Sequence, residues 1–212
     1  MSDLVKLFEA ILNGDTKGTL ALTKEALADG ADPVDLVTRY MTPAMTEVGR
    51  LFECEEYFVP ELMRSAQAMK GALDVIRPLL AASGAEPAGR VVIGTVKGDR
   101  HDIGKNLVAS MLEGGGFEVH DIGADVSPEK FVQAVRDHNP DLVCLSTLLT
   151  VTMRAVPVTI QALKDAGLRE RVRVLVGGAP VTEQWALEIG ADGYGANAAA
   201  AVPLARRMVG KA

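Results

Sequence analysis

Lys97-Gly98-Asp99-Arg100-His101-Asp102-Ile103-Gly104 is the stretch on which the reading of this 212-residue chain turns. The apolar run Val91-Val92-Ile93 precedes it and an amphipathic segment near 104–114 follows, so its histidine falls in a strand-to-helix loop. Two further short motifs come after it. Ser146-Thr147-Leu148 begins after 41 intervening residues (105–145), and Gly177-Gly178 after 28 more (149–176). Each again follows an apolar run, Leu142-Val143-Cys144-Leu145 and Val172-Arg173-Val174-Leu175-Val176. Any one of these motifs alone carries little weight, but three in order, each at the end of a predicted strand, are hard to obtain by accident.

Working outward, the apolar runs continue with Phe117-Glu118-Val119 and a weaker fifth at Ala191-Asp192-Gly193-Tyr194. Helical segments are predicted near 104–114, 128–138, 151–166, 181–189 and 197–209. Strands alternating with helices specify a parallel sheet covered on both faces, here five-stranded and spanning 90–212. Ligands bind such sheets beyond the carboxyl ends of the strands, where all three motifs lie. Upstream the period changes. Leu4, Phe8 and Ile11 open a first helix, Asn13-Gly14-Asp15 stops it and starts a second over Thr16–Asp29, and Asp32-Pro33 caps a third. The third carries Val37, Met41, Ala44, Val48 and Leu51 on one face, with Pro43 as a kink site. A fourth opens at Pro60 with the stripe Phe58, Leu62, Ala66, Met69, Leu73, Ile76 and Leu80. Four short-looped helices predict an antiparallel bundle over 1–82, joined by a linker at 83–89.

Hydrophobic residues make up 48% and charged residues 24%, which fits folded globular domains and excludes extensive disorder. The formal charge of -6, without a basic stripe, argues against a nucleic-acid partner. Met1–Lys6 lacks the pattern of a secretory leader and no apolar run is long enough to span a bilayer, so no membrane role and a cytoplasmic location are expected. Cys54 and Cys144 have no metal-site spacing, and Cys144, inside an apolar run, reads as a buried reduced thiol.

An imidazole in the loop at His101 can leave the sheet edge and ligate a metal. Asp99, two residues earlier, can accept a hydrogen bond from its other ring nitrogen, fixing the tautomer and raising ligand basicity. A solvated loop histidine is the plainer alternative. His120 and His138 have no such company, and His138 before Asn139-Pro140 suits a helix end, where the dipole favours it.

Taken together, Asp99-x-His101-x-x-Gly104, Ser146-x-Leu148 and Gly177-Gly178 resemble the signature of corrinoid proteins of methyltransferase systems, with the helical cap and cobalamin-binding domain also found in methionine synthases. The resemblance covers nearly the whole chain and implies an α/β fold, a four-helix-bundle cap followed by a Rossmann-like, flavodoxin-like cobalamin domain. It implies cobalamin as cofactor, methylcobalamin in the loaded state, with His101 displacing the cofactor's benzimidazole from cobalt. Asp99 would hold His101, and by position Thr152 would hold Asp99, these two forming the catalytic relay; methionine synthases carry serine at the second position. Asp102, Ile103, Gly104, Ser146, Leu148, Thr150, Gly177 and Gly178 would line the site of the corrin and its displaced tail, Ser146 donating to a ring nitrogen. The glycines would let the tail approach the backbone, although Gly177-Gly178 also fits a plain turn. Lys97, Lys105 and Asn106 would anchor polar groups or simply face solvent. Phe58, in Glu55–Met63, matches the aromatic that shields the upper methyl, or else belongs to the bundle core.

The implied function is a methyl carrier that accepts the group from a donor-specific methyltransferase and passes it to an acceptor methyltransferase, served by a reductive activating protein. The rivals are the cobalamin-binding subunit of an adenosylcobalamin-dependent isomerase, which usually lacks the cap, and a cobalamin-sensing regulator, which would normally carry a basic DNA-binding unit. A cobalamin-free signalling module would leave the motif spacing unexplained.

Overall fold

The computed structural model describes residues 4–83 and 86–210. Met1–Asp3 of the expected leader-free terminus, Gly84 and Ala85 of the expected linker, and residues 211–212 lie outside them. The chain divides into two compact units, one running to Pro87 and one from Ala88, with the short segment Glu113–Gly116 grouping with the first.

The first unit is helical: α1 Leu4–Leu12, α2 Thr16–Ala28, α3 Pro33–Leu36, α4 Thr42–Glu53 and α5 Val59–Ser83. Asp15 caps α2 by accepting from the Gly18 N–H at 2.9 Å, and Asp32 caps α3 by accepting from the Val34 and Asp35 N–H groups at 2.8 and 3.0 Å. The proline expected to kink the third helix acts just upstream. Between α3 and α4 the backbone widens into a π-helical segment, Val37–Met41, in which the Thr42 N–H reaches back five residues to the Val37 carbonyl. Pro43 has no N–H to give to the preceding turn, and the wider turn accommodates that loss without breaking the rod. Leu62, Ala66, Met69, Leu73 and Ile76 of α5 are buried together with Leu7, Ile11, Leu36 and Met41. Phe58 is a correction to the stripe: it precedes α5 and is 63% exposed.

The second unit is a five-stranded, all-parallel sheet: β1 Arg90–Thr95, β2 Glu118–Asp121, β3 Leu142–Ser146, β4 Arg173–Gly177 and β5 Gly193–Gly195. The strand order is β2-β1-β3-β4-β5, the flavodoxin-like arrangement, whose direction of winding reverses between β1 and β3. Gly89, the last residue of the expected linker, is buried just ahead of β1, and its carbonyl accepts the Glu118 N–H at 2.9 Å. The helices are α6 Ile103–Gly114, α7 Pro128–His138, α8 Ala155–Asp165, α9 Glu183–Glu188 and α10 Ala198–Met208. Residues alternate sides along each strand, as the two-residue period requires. Val91, Ile93, Leu142, Cys144 and Leu175 face a core shared with α6 and α10. Val92, Val143, Leu145, Val174 and Val176 face the other, with Phe131, Val156 and Ile160 of α7 and α8. Burial on both sides is why these strands read as continuous apolar runs.

Candidate functional site

The loop after β1 is pinned before any ligand is considered. Gly98 takes a left-handed turn (φ 87°), and its N–H donates to Asp125 Oδ1 at 2.8 Å. The Asp99 N–H bonds to the Val96 carbonyl at 3.1 Å, and the Asp99 carbonyl accepts the Asp125 N–H at 2.8 Å. Thr95 Oγ1 donates to the His101 carbonyl at 2.9 Å, tying the loop's far side to the end of β1. Asp99 is thereby held fully buried at the junction of β1 and β3.

A buried carboxylate needs donors, and Asp99 has them. Oδ1 accepts from the backbone N–H of His101 at 3.0 Å and from its ring Nδ1 at 2.7 Å. Oδ2 accepts from the Leu148 N–H at 2.7 Å, the Leu149 N–H at 3.3 Å and Thr152 Oγ1 at 2.8 Å. Burial pushes its pKa upward and is the largest single influence. The bonds from Leu148, from the His101 backbone and ring and from Thr152 together override it, holding the carboxyl well below the usual carboxylate range. A charged Asp99 can only accept, so the proton of a neutral His101 ring sits on Nδ1, and Nε2 keeps its lone pair. The His101 side chain is 53% exposed. The arrangement is a fixed imidazole tautomer offering one metal-binding nitrogen.

The second and third motifs build the other wall. Ser146 closes β3, where its carbonyl accepts the Val96 N–H at 3.0 Å, and the chain then turns so that Leu148 and Leu149 point their N–H groups at Asp99. Thr147 is a residue that sequence reasoning passed over as the variable position of Ser-x-Leu. It is fully buried, and its hydroxyl lies 2.8 Å from that of Thr152. A hydroxyl at the variable position was the only available signal. Gly178 also has a nearer constraint than the one expected from a tail slot. Its φ is +131°, and a Cβ there would lie 1.7 Å from the Thr147 carbonyl oxygen. A Cβ on Gly177 would lie 3.1 Å from the Gly195 carbonyl oxygen.

These walls enclose a cleft of about 460 Å³, within the range of small-molecule sites. Arg100, His101, Asp102, Ile103, Gly104 and Lys105 line it after β1, Ser146, Thr147 and Leu148 after β3, and Gly177 and Gly178 after β4. Ile93, Cys144 and Leu175 of the sheet, with Val108 of α6 and Ala201 of α10, give it an apolar interior. Asp102 sits at the entry to α6, its carbonyl accepting the Asn106 N–H at 2.7 Å. Ile103 is 74% exposed. Gly104 is the open position, since a Cβ there would meet nothing within 4 Å beyond its chain neighbours and its own helix backbone.

Several expected residues are placed elsewhere. Thr150 is exposed and outside the cleft lining, and Phe58 belongs to the first unit, where it is exposed. Lys105 borders the cleft, but its side chain is only 2% exposed and its ammonium is engaged by Asp121 and Asn106, so it is a structural cation rather than a free anchor. Lys97 pairs with Asp125 at 3.0 Å, and neither Lys97 nor Asn106 lines the cleft. His138 ends α7 and stacks on His120 at 3.9 Å between ring centroids. Burial pushes the Cys144 thiol up to about 12. Among the described residues no helix is long and apolar enough to cross a membrane.

A single imidazole with a free nitrogen, beside a largely apolar cleft with an open glycine, fits a metal whose other ligands arrive with an organic cofactor. Comparison with known proteins identifies that cofactor. Residues 89–202 match the B12 binding domain family, and residues 4–77 match a second B12 binding domain family. Trimethylamine corrinoid protein 1 of Methanosarcina acetivorans is 41% identical over 208 residues, 97% of this chain and 96% of that protein. A cobalamin-binding protein from Desulfitobacterium hafniense DCB-2 superposes with a TM-score of 0.81 at 34% identity, covering 98% of this chain and 99% of that one. A chain of the methanol:cobalamin methyltransferase complex MtaBC from Methanosarcina barkeri superposes with a TM-score of 0.84 at 30% identity, covering 97% of this chain and 79% of that one. Matched over nearly its entire length in sequence and in fold, the chain belongs to the B12-binding family of corrinoid proteins.

Proposed function

We propose that this protein is the methyl-carrying corrinoid component of a methyltransferase system. The observation that carries the reading is the His101 ring, fixed by Asp99 at 2.7 Å with Nε2 left for cobalt, at a cleft whose glycine and apolar wall leave room for a displaced nucleotide tail. In this reading His101 would hold the cobalt through Nε2, and Asp99 with Thr152 would set the ring's tautomer and direction. Asp102, Ile103, Gly104, Ser146, Leu148, Gly177 and Gly178 hold the cofactor along the cleft, with Ser146 supplying a hydroxyl donor. When bound, the corrinoid supplies a cobalt centre able to take up a methyl group and give it away; the chain contributes ligand, slot and exclusion of water.

The family relatives are named for trimethylamine and dimethylamine, and the methanol relative is part of a methyltransferase complex. By that likeness this chain works with a methyltransferase that selects the donor, a second that receives the group, and a reductive activator that restores the reduced cofactor.

The test mixes reduced, cobalamin-loaded protein with candidate methyl donors, with and without donor methyltransferases, and follows the cobalt absorption spectrum. Methylation that requires a partner enzyme is the expected result. Rearrangement of a substrate with adenosylcobalamin, or light-dependent DNA binding, would replace the carrier by one of its rivals.

A further inference from the structure

Two threonine hydroxyls, each with one proton to give, stand against Asp99 in a buried cluster. Thr152 Oγ1 lies 2.8 Å from three possible acceptors: Asp99 Oδ2, the Leu149 carbonyl and Thr147 Oγ1. Its proton can go to only one. Thr147 Oγ1 has a single short neighbour, Thr152, because Asp99 Oδ2 and the Leu149 carbonyl are both at 3.5 Å, the outer limit of a hydrogen bond. The Leu149 carbonyl is already an acceptor for the backbone N–H groups of Thr152 and Met153 at 3.0 and 3.2 Å. The short contact therefore favours Thr147 donating to Thr152. A hydroxyl that accepts a proton becomes a better donor, and the charged carboxylate is the stronger of its two remaining acceptors.

We propose that Thr147 is a positioning residue for His101: it donates to Thr152 and so commits Thr152's proton to Asp99, which holds the His101 ring. The Gly177-Gly178 pair serves the same end. The Thr147 N–H donates to the Gly177 carbonyl at 3.2 Å, and the Thr147 carbonyl occupies the space a Cβ on Gly178 would need. The methyl of Thr152 completes the packing, lying 3.6 Å from where Gly98 would carry a Cβ. The functional meaning rests on the reading of His101 as cobalt ligand, but the hydrogen-bond order can be measured without cofactor.

The experiment follows the His101 Nδ1–H proton resonance in the cofactor-free protein at low temperature. With fewer hydroxyl donors Asp99 accepts more strongly from His101, so Thr147→Val should move that resonance downfield, by less than Thr152→Val does. Thr147→Ser, which keeps the hydroxyl, should restore the wild-type position. The double Val variant should match Thr152→Val alone, because Thr147 acts through Thr152. A silent Thr147→Val, or full additivity in the double variant, would overturn the proposal. Should the Val variant misfold, a neutron structure of the unaltered protein decides: Thr147's deuteron on the line to Thr152 supports the order, and one directed at Leu149 or Asp99 refutes it. Success here alongside failure of cobalt ligation by His101 would sink the functional reading and leave the hydrogen-bond order standing.

Discussion

Gly178→Ala separates what the fold demands of the third motif from what a cofactor would demand. The residue sits at φ +131°, a region open essentially to glycine alone, and its new methyl would be built 1.7 Å from the Thr147 carbonyl oxygen and 2.8 Å from the carbonyl carbon. Both obstacles are backbone, so neither can swing away as a flexible side chain would. The strained dihedral costs about 1–3 kcal/mol, and forcing the packed Thr147 segment to retreat adds about 1–3 kcal/mol. Against a total folding stability of about 5–15 kcal/mol this is a large fraction. The displaced segment also carries the Leu148 and Leu149 N–H groups that stabilise the Asp99 carboxylate. Urea unfolding of the cofactor-free protein, read as a midpoint shift at unchanged slope, measures the loss. Gly104→Ala is the control: its methyl meets nothing within 4 Å and lies in the first turn of α6, so stability should hold or rise by up to about 1 kcal/mol. If Gly178→Ala unfolds within about 0.5 kcal/mol of the unaltered protein, the argument that Thr147 dictates this glycine is refuted.

Asp99→Asn should destabilise the cofactor-free protein in a pH-dependent way. Because the folded carboxyl titrates well below its unfolded value of about 3.9, its contribution is present above roughly pH 4 and is lost as pH falls toward the folded value. The stability gap between the two proteins should therefore be wide at about pH 7 and narrower at about pH 3; a gap that widens on acidification contradicts the assignment. Cys144, with its thiol pushed up to about 12 and its side chain on the cleft wall, should alkylate far more slowly than exposed Cys54 at neutral pH, and more slowly still once cobalamin is loaded. Rapid modification of Cys144, or a rate indifferent to loading, would show that the cleft is not where the cofactor binds.

The sheet was legible because burial on both faces leaves a mark in sequence. Val91-Val92-Ile93 and Leu142–Leu145 fall inside β1 and β3, and the weak run at Ala191–Tyr194 overlaps the three-residue β5. Phe58 was misplaced because helical spacing cannot show where a helix starts: α5 begins at Val59, one residue too late to carry Phe58 on its buried stripe. Asp99 and His101 were readable because three motifs fixed their company, whereas Thr152 followed only from the family resemblance, and its hydroxyl does bond Asp99 at 2.8 Å. Thr147 was not readable, since its importance lies in a 2.8 Å contact with a residue five positions away, through a turn that spacing alone does not describe. Lys105 misled for the opposite reason: charge beside a motif suggests a ligand anchor, while its burial against Asp121 emerges only from the pairing of β1 with β2. The demand on Gly178 is likewise tertiary, arising from the approach of the segment after β3 to the end of β4.

We propose that His101 Nε2 takes the cobalt while the cofactor's own base lies in the cleft. This is tested most directly by electron spin resonance of the cobalt(II) form loaded into protein grown with nitrogen-15 histidine. Superhyperfine splitting from one labelled nitrogen is expected, and His101→Ala should abolish it while cobalamin is still retained by the cleft. A splitting that keeps the unlabelled nitrogen pattern, showing benzimidazole on cobalt in the unaltered protein, would contradict it.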